Sequence, residues 1–414
     1  MEEPSGFERD APLRLLWEYG HSLSDFDDAF GLAGVSKTFA SMVLALAREV
    51  IISGRNVSYS RRRQHYSDKP KIYRDGLYTF HKVLPAVEHL YKLGLIEHDQ
   101  APPGRLGWQS TMRANEQLVQ IALPFIVKGV QLRRPRTCLL LKDSEKKLIE
   151  YGRSGPIDTM EREISAFNEA LLSIDLGSAI GHRTFLVRIF NNGTFSQGGR
   201  FYAAGGGWQT LSKEERLHLT INGDPVAEID YSELHPTLAY HKAGLPAPDG
   251  IYDIPGYPRG LIKIAFNTML NASSEHAVRL SLATKPAMLN HLVGDEIFGK
   301  GNAKQLRIAA AAFDPTLRQQ GLETAAAIID ELKQKHRPIE QVFFSGMGPK
   351  LQRLDSEIAS MVMKTMRNRG EMPLPVHDSF IVRASQGDHL EQAMIEAGER
   401  MHASLSCKRS SIVS

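Results

Sequence analysis

Two short stretches, far apart in the chain, each carry an apolar run onto a single aspartate. In AEIDYSELHPTLAY (227–240) the run ends on Asp230, and in EMPLPVHDSFIV (371–382) Asp378 falls in a turn between two apolar runs. A strand that stops at Asp230 and a tight strand-turn-strand around Asp378 would both present a carboxylate at a strand end. Carboxylates so placed are hard oxygen ligands for Mg²⁺, and two such ions about 3.5–4 Å apart clamp the attacking and leaving oxygens of an in-line phosphoryl transfer. Asp230 and Asp378 are therefore the candidate metal ligands, with the carbonyl of Tyr231 as a third; the expected ion is Mg²⁺, with Mn²⁺ as an alternative. Between them PRGLIKIAFNTMLNA sets Arg259, Lys263, Asn267 and Asn271 four residues apart, which puts them on one helical face. Arg259 would offer a planar fork to a triphosphate, and Lys263 a compact charge able to protonate a pyrophosphate leaving group. In SQGGRFYAAGGGWQ, Arg200 lies between glycine-rich turns, where backbone and guanidinium can both approach a phosphate chain.

Each feature alone has an ordinary reading: an aspartate at a strand end is commonly a turn residue or a helix cap. Order and context supply the specificity. In sequence, GGRFY, EIDYSELHP, RGLIK and LPVHDSF resemble the palm and fingers motifs shared by family-A DNA polymerases and phage-type single-subunit RNA polymerases, over about residues 198–382. The resemblance implies an α+β, right-hand polymerase-like palm with helical fingers. It implies catalytic roles for Asp230 and Asp378 as metal ligands, Arg259 and Lys263 as triphosphate ligands, and His377 at the primer end. DYS is like the DNA-polymerase motif, whereas HDS and GRFY are like the RNA-polymerase versions. Five residues after Asp230, where the former carry a glutamate that crowds the sugar and the latter a glycine, this chain has His235, a bulky group that disfavours ribose. Asn271-Ala272 stands where the family has Tyr-Gly, the spacing from Asp230 to Arg259 is short, and nothing like a proofreading exonuclease precedes the palm.

The elements that must position these residues can be read from periodicity. SKTFASMVLALAREVIISG has an apolar helical face with a serine cap and a terminal glycine, and TFHKVLPAVEHLYKLGLIEH carries a second such face. The stretch APPGRLGWQSTMRANEQLVQI reads as a turn, a strand and a returning strand, so that residues 35–125 resemble a winged-helix-like nucleic-acid-binding domain. Residues 1–34 read as an appendage, 126–197 as a connector or thumb-like region, and 198–414 as palm and fingers. Asn192-Gly193 between two strand-like runs is a hairpin signal. In LQRLDSEIASMVMKTMRNR the apolar stripe is core packing, with Gln352, Arg353 and Asp355 left to reach primer or template. The basic cluster Arg61, Arg62, Arg63, Lys69, Lys71 and Arg74, with Tyr59, Tyr66 and Tyr73 interleaved, is a candidate nucleic-acid contact, as is the stretch Arg133, Arg134, Arg136. A solvated loop is the competing reading of both.

With 414 residues, 42% hydrophobic and 23% charged, the chain is long enough for two or three packed domains. A net charge of +3 does not by itself demand an anionic partner. Two isolated cysteines, Cys138 and Cys407, make neither a disulfide framework nor a thiolate metal site. No run approaches the roughly 18 apolar residues of a membrane span, so a cytoplasmic protein with no membrane partner is expected. The expected activity is template-directed nucleotide transfer to a primer on a DNA or RNA template, DNA synthesis ahead of RNA synthesis or priming. The alternative of a different class is a DNA-binding replication or regulatory protein with a remnant palm, which would show no Mg²⁺-dependent turnover.

Overall fold

The computed structural model describes residues 10–15, 17–67, 70–74, 76–102, 109–177, 184–204, 207–294, 315–401 and 403–411. Lys69 and most of the turn read in APPGRLGW lie outside them. The fold is a mixture of helices and sheets, and the chain divides into two units, neither of them continuous: residues 1–189 with 202–225, and residues 190–201 with 226–414.

In the first unit, β1 (Ala11–Pro12), β2 (Trp17–Tyr19) and α1 (Ser24–Phe30) precede α2 (Lys37–Ser53). As predicted, α2 opens on Ser36, whose hydroxyl accepts from the Phe39 amide, and closes on Gly54 in the left-handed region. After β3 (Val57–Tyr59) come two short 3₁₀ turns, α3 (Phe80–Lys92), β4 (Ile96–Asp99) and β5 (Ser110–Ala114). β4 and β5 pair antiparallel in a sheet ordered β1-β3-β5-β4. The next segment departs from expectation. ANEQLVQI is not a returning strand: Asn115 caps the Leu118 amide, and residues from Glu116 form helix α4 (Glu116–Gly129). Its apolar residues recur at helical spacing, with Leu118, Ala122 and Phe125 buried. The N-terminal segment is no loose appendage either, since Leu13, Leu15, Tyr19 and Phe26 are buried in the same core as Met42, Leu46, Val87 and Phe125.

The unit continues through β6 (Val130–Leu132), which pairs with β2, then β7 (Leu139–Leu141) and α5 (Gly155–Leu171). The strands β8 (Leu186–Phe190) and β9 (Gly198–Ala203) join β7 in a three-stranded sheet. Asn192 (φ 56°) and Gly193 (φ 69°) both take the left-handed conformation in the connection, where Asn-Gly is favoured. Helix α6 (Lys213–Leu217) and β10 (Thr220–Ile221) lead into β11 (Asp224–Ser232).

The second unit is built on the rest of β11. It runs through α7 (Leu234–Lys242), α8 (Arg259–Asn271), α9 (Glu275–Ala283), α10 (Pro286–Val293), α11 (Pro315–Lys335), α12 (Gly348–Asn368), β12 (Leu374–Val376), β13 (Ser379–Arg383), α13 (Gly387–Arg400) and β14 (Ser406–Ser411). β11 is flanked by β13 on one side and β14 on the other, both antiparallel, with β12 beyond β13. Side chains alternate along β11. Ala227, Ile229 and Tyr231 are buried on one face, where the Tyr231 hydroxyl donates to the Met394 carbonyl of α13 at 2.6 Å. Glu228 and Asp230 share the other face. Among the described residues no helix is long and apolar enough to cross a membrane.

Candidate active site

The strand register brings the two aspartates together. Asp230 lies opposite Ser379, and one residue further the Tyr231 amide donates to the Asp378 carbonyl at 3.1 Å. Opposed residues of an antiparallel pair have Cα atoms roughly 4.5–5.5 Å apart, so the two aspartates are backbone neighbours across one strand pair. In an antiparallel strand a residue's amide and carbonyl project to the same side, which turns the Tyr231 carbonyl toward Asp378. The Tyr231 ring turns inward, 3% exposed, and burial, with Cys407 and Asp355 nearby, raises its phenol pKa. Only the main chain of Tyr231 is therefore available to a ligand.

Asp378 occupies a two-residue turn between β12 and β13, since Val376 pairs with Ser379. His377, the first turn residue, has φ 59° and is exposed. Of the two turn residues it alone has positive φ, the pattern of a type II′ turn, an uncommon backbone for a residue with a Cβ. Asp378 thus lies in a tight strand-turn-strand, as the sequence predicts, with His377 preceding it in the turn.

The helix face is also as predicted. Leu261, Ile262, Ala265, Phe266, Met269 and Leu270 are buried along α8, while Arg259, Lys263 and Asn271 are exposed and Asn267 is half-buried. Arg259 forms an ion pair with Glu233, sits 3.8 Å from Asp253, and lies over the Tyr252 ring at 5.1 Å. Burial raises the Tyr252 pKa, and the charges of Glu233 and Asp378 raise it further against the opposing effect of Arg259. Asp378 is therefore within electrostatic reach of Tyr252, the ring over which Arg259 lies at the start of α8. Glu233, Tyr252 and Asp253 were not singled out in the sequence; an isolated acid beside a motif carries no signal until folding sets it against Arg259.

Arg200 has a different setting from the one expected. Its Nε donates to Asp355 Oδ2 of α12 at 2.7 Å, and its Nη2 also contacts that oxygen and lies 3.0 Å from His235 Nε2. His235 Nε2 is 3.2 Å from the same Asp355 oxygen. Asp355 is buried and does not reach toward solvent; it anchors Arg200 and His235 together. Gly199 serves protein packing: it has φ 88°, and a Cβ there would stand 2.7 Å from the Phe190 ring and 3.0 Å from Ser356 Oγ. Arg353 likewise turns to protein, donating to the Phe195 carbonyl at 3.0 Å and pairing with Glu357 at 2.9 Å.

Two further neighbours were missed. Glu228, 3% exposed, accepts from the Ser379 hydroxyl at 2.8 Å on the face of β11 that carries Asp230. Lys408 lies opposite Asp230 across β14, a position that only strand pairing reveals. Among the described residues no group of three or more His, Cys, Asp or Glu is arranged to hold a metal. Asp230, Asp378 and the Tyr231 carbonyl are nonetheless all hard oxygen donors. Such a set fits Mg²⁺, which completes its shell with substrate phosphates and water in preference to an all-protein cage.

In the first unit Arg62, Arg63, Lys71 and Arg74 are exposed, while Arg61 is half-buried, 3.3 Å from the Tyr59 hydroxyl and 3.6 Å from Glu88. The interleaved tyrosines have structural work. Tyr59 is 1% exposed and bonds His98 at 2.6 Å, Tyr66 donates to the Ser60 carbonyl at 2.6 Å, and Tyr73 to the Ile149 carbonyl at 3.2 Å. Tyr59 has no free ring face on which a base could stack.

No protein family matches the chain, and no curated protein does. Among solved structures it is similar to the POL domain of Pol1 from M. smegmatis in complex with DNA primer-template and dNTP, at 10% identity and a TM-score of 0.31. That match covers 62% of this chain and 51% of the other, so the chain spans about half the length of the structure it matches, a resemblance too slight to carry function across.

Proposed function

We propose that the chain is a template-directed nucleotidyltransferase whose second unit is a compact palm with helical fingers and whose first unit engages nucleic acid in a winged-helix-like manner. One observation carries the reading: the β11–β13 register, which makes Asp230 and Asp378 backbone neighbours across one strand pair. The exposed Arg259 and Lys263 on α8, near enough for Asp378 to act on Tyr252 beside Arg259, support it further.

In this reading Asp230, Asp378 and the Tyr231 carbonyl would hold divalent ions. Bound Mg²⁺ would lower the pKa of the attacking hydroxyl and neutralise charge on the phosphates. The incoming triphosphate takes Arg259 from Glu233, exchanging a carboxylate partner for phosphate oxygens that the guanidinium can fork. The primer 3′ hydroxyl gives its proton to solvent water and its oxygen forms a bond to the α-phosphorus as the bond to the bridging oxygen breaks; Lys263 Nζ gives its proton to the departing pyrophosphate and is reprotonated from solvent. His377 orients the primer terminus at the hairpin tip. His235, held by Asp355 and Arg200, crowds the sugar and favours deoxynucleotides.

The test is extension of a labelled primer on a template with Mg²⁺, supplied with dNTPs or NTPs in separate reactions. Extension by the wild type, preferential with dNTPs and lost in Asp378→Ala with the circular dichroism spectrum retained, is the expected result. Extension that survives in Asp378→Ala would remove the metal-ligand assignment, and a wild type that binds DNA without any turnover would identify a remnant palm.

A further inference from the structure

Two basic segments of the first unit, distant in sequence, converge on one cavity of about 410 Å³ lined by Arg74, Gly76, Thr79, Arg133, Arg134 and Arg136. The convergence is built. Glu150 accepts from the Lys71 and Ile72 amides at 2.8 and 3.2 Å, and the Tyr73 hydroxyl accepts from the Leu141 amide at 2.9 Å, which ties the turn before Arg74 to the strand that follows Arg136. Arg74 Nη2 donates to the Ser67 carbonyl at 2.6 Å and Arg133 Nη2 to the Leu15 carbonyl at 2.9 Å. Lys82 adds a further cation by bonding the Gly76 carbonyl. Arg134 Nη2 is buried with no hydrogen-bond partner. Among the described residues no carboxylate lines the cavity; Asp75 lies outside them.

Like charges gathered around one cavity repel, and a buried guanidinium N–H without an acceptor loses its hydration uncompensated. A multiply charged oxyanion relieves both at once, and phosphoryl groups match the planar fork of arginine. We propose that this cavity is a phosphoryl-binding site that takes the phosphodiester backbone of a nucleic acid strand, Arg134 and Arg136 reading phosphates from the floor and the rim. The site is independent of the chemistry proposed for the second unit.

The probe is a fluorescein-labelled single-stranded oligodeoxynucleotide, titrated by anisotropy over a series of salt concentrations, with inorganic pyrophosphate as a second arm followed by calorimetry. Arg136→Ala, at an exposed position, and Arg134→Ala, with thermal unfolding as the folding control, are each expected to weaken oligonucleotide binding several-fold. Each should also reduce the slope of log K against log salt by about 0.7, the increment of one phosphate contact on a single strand. Lys213→Ala, which removes an exposed charge of the same unit outside the cavity, should bind the oligonucleotide as the wild type does, which separates this site from a general loss of positive charge. Loss of pyrophosphate binding in the arginine variants with oligonucleotide binding unchanged would assign the cavity to a free phosphoanion. Wild-type affinity and slope in both folded variants, with pyrophosphate binding also unaltered, would overturn the proposal.

Discussion

Asp355 receives Arg200 on an oxygen that also lies 3.2 Å from His235 Nε2, while its own side chain is 1% exposed and that of Arg200 15% exposed. Removing one partner of a buried pair leaves an uncompensated charge, at a cost of about 3–5 kcal/mol. Asp355→Ala is therefore expected to lower stability by that order in urea titrations, and the freed His235 should relax the dNTP preference in primer extension. A stable variant with unchanged sugar preference would show that His235 needs no anchor. The thiols make a second expectation. Burial, with Glu161 nearby, pushes Cys138 up to about 11, and burial, with Glu391 and Asp230 nearby, pushes Cys407 up to about 12. The thiolate is the nucleophile, so both should resist iodoacetamide at about pH 8 in the folded protein and react on unfolding. Rapid labelling of native Cys407 would contradict its setting beside Asp230. At this scale the sequence announced Asp230, Asp378, Arg259, Lys263 and His377 through their motifs. It could not announce Glu233, Asp253 or Glu228, whose partners lie elsewhere in the chain.

Elements were legible where a period or a cap marked them. The apolar face of α8 and the serine cap of α2 follow from spacing alone. Helix α4 is hard to read because its apolar residues follow directly on a strand, and the Asn115 cap that starts the helix is a weak signal beside them. Glycine at 199 was read as room for a phosphate, whereas it lets β9 approach Ser356 of α12. Gly199→Ala combines a positive φ with contact to the Phe190 ring, and should destabilise by more than about 1 kcal/mol with reduced Asp355–Arg200 pairing, visible as a lower melting temperature. His336, between α11 and α12, is fully buried; the Tyr240 hydroxyl donates to its Nδ1 at 2.8 Å, and its Nε2 donates to the Ile251 carbonyl at 3.0 Å. Burial lowers its pKa from 6.5 to about 4, opposed by the Ile251 bond and aided by Lys335. An unfolded chain binds a proton near pH 6.5 that the folded imidazole refuses until about pH 4, so the unfolded state holds more protons across that window. Stability should fall as the pH drops through it, by an amount on the order of 3 kcal/mol in all. Urea midpoints followed by circular dichroism would measure this. His336→Gln should flatten the dependence between those limits, and an equally steep loss in that variant would point to other groups.

As a whole molecule the chain is discontinuous in both units, because residues 190–201 group with 226–414. A fragment of residues 226–414 lacks Arg200 and the Phe195 carbonyl, and so leaves Asp355 without its guanidinium and Arg353 without its acceptor. It is expected to be molten or insoluble, while a fragment of residues 190–414 should give a dispersed amide spectrum; equal dispersion from both would show the hairpin tip to be dispensable. The boundaries expected at residues 34, 125 and 197 were placed at changes of local pattern, and the packing ignores them, since Leu13 and Phe26 join the core of α2 and α4. By itself the sequence determined the mixed fold class, the turn that carries Asp378 and the polar face of α8, because period and turn chemistry act between near neighbours; the strand expected to stop at Asp230 instead runs on to Ser232, where pairing with β14 extends it. Which strand lies beside which, the closure of Asp355 on Arg200 and His235, and the gathering of Arg74 with Arg133, Arg134 and Arg136 were decided only by tertiary structure. Such pairings join residues far apart in the chain, and burial and charge choose them only once the whole core has formed.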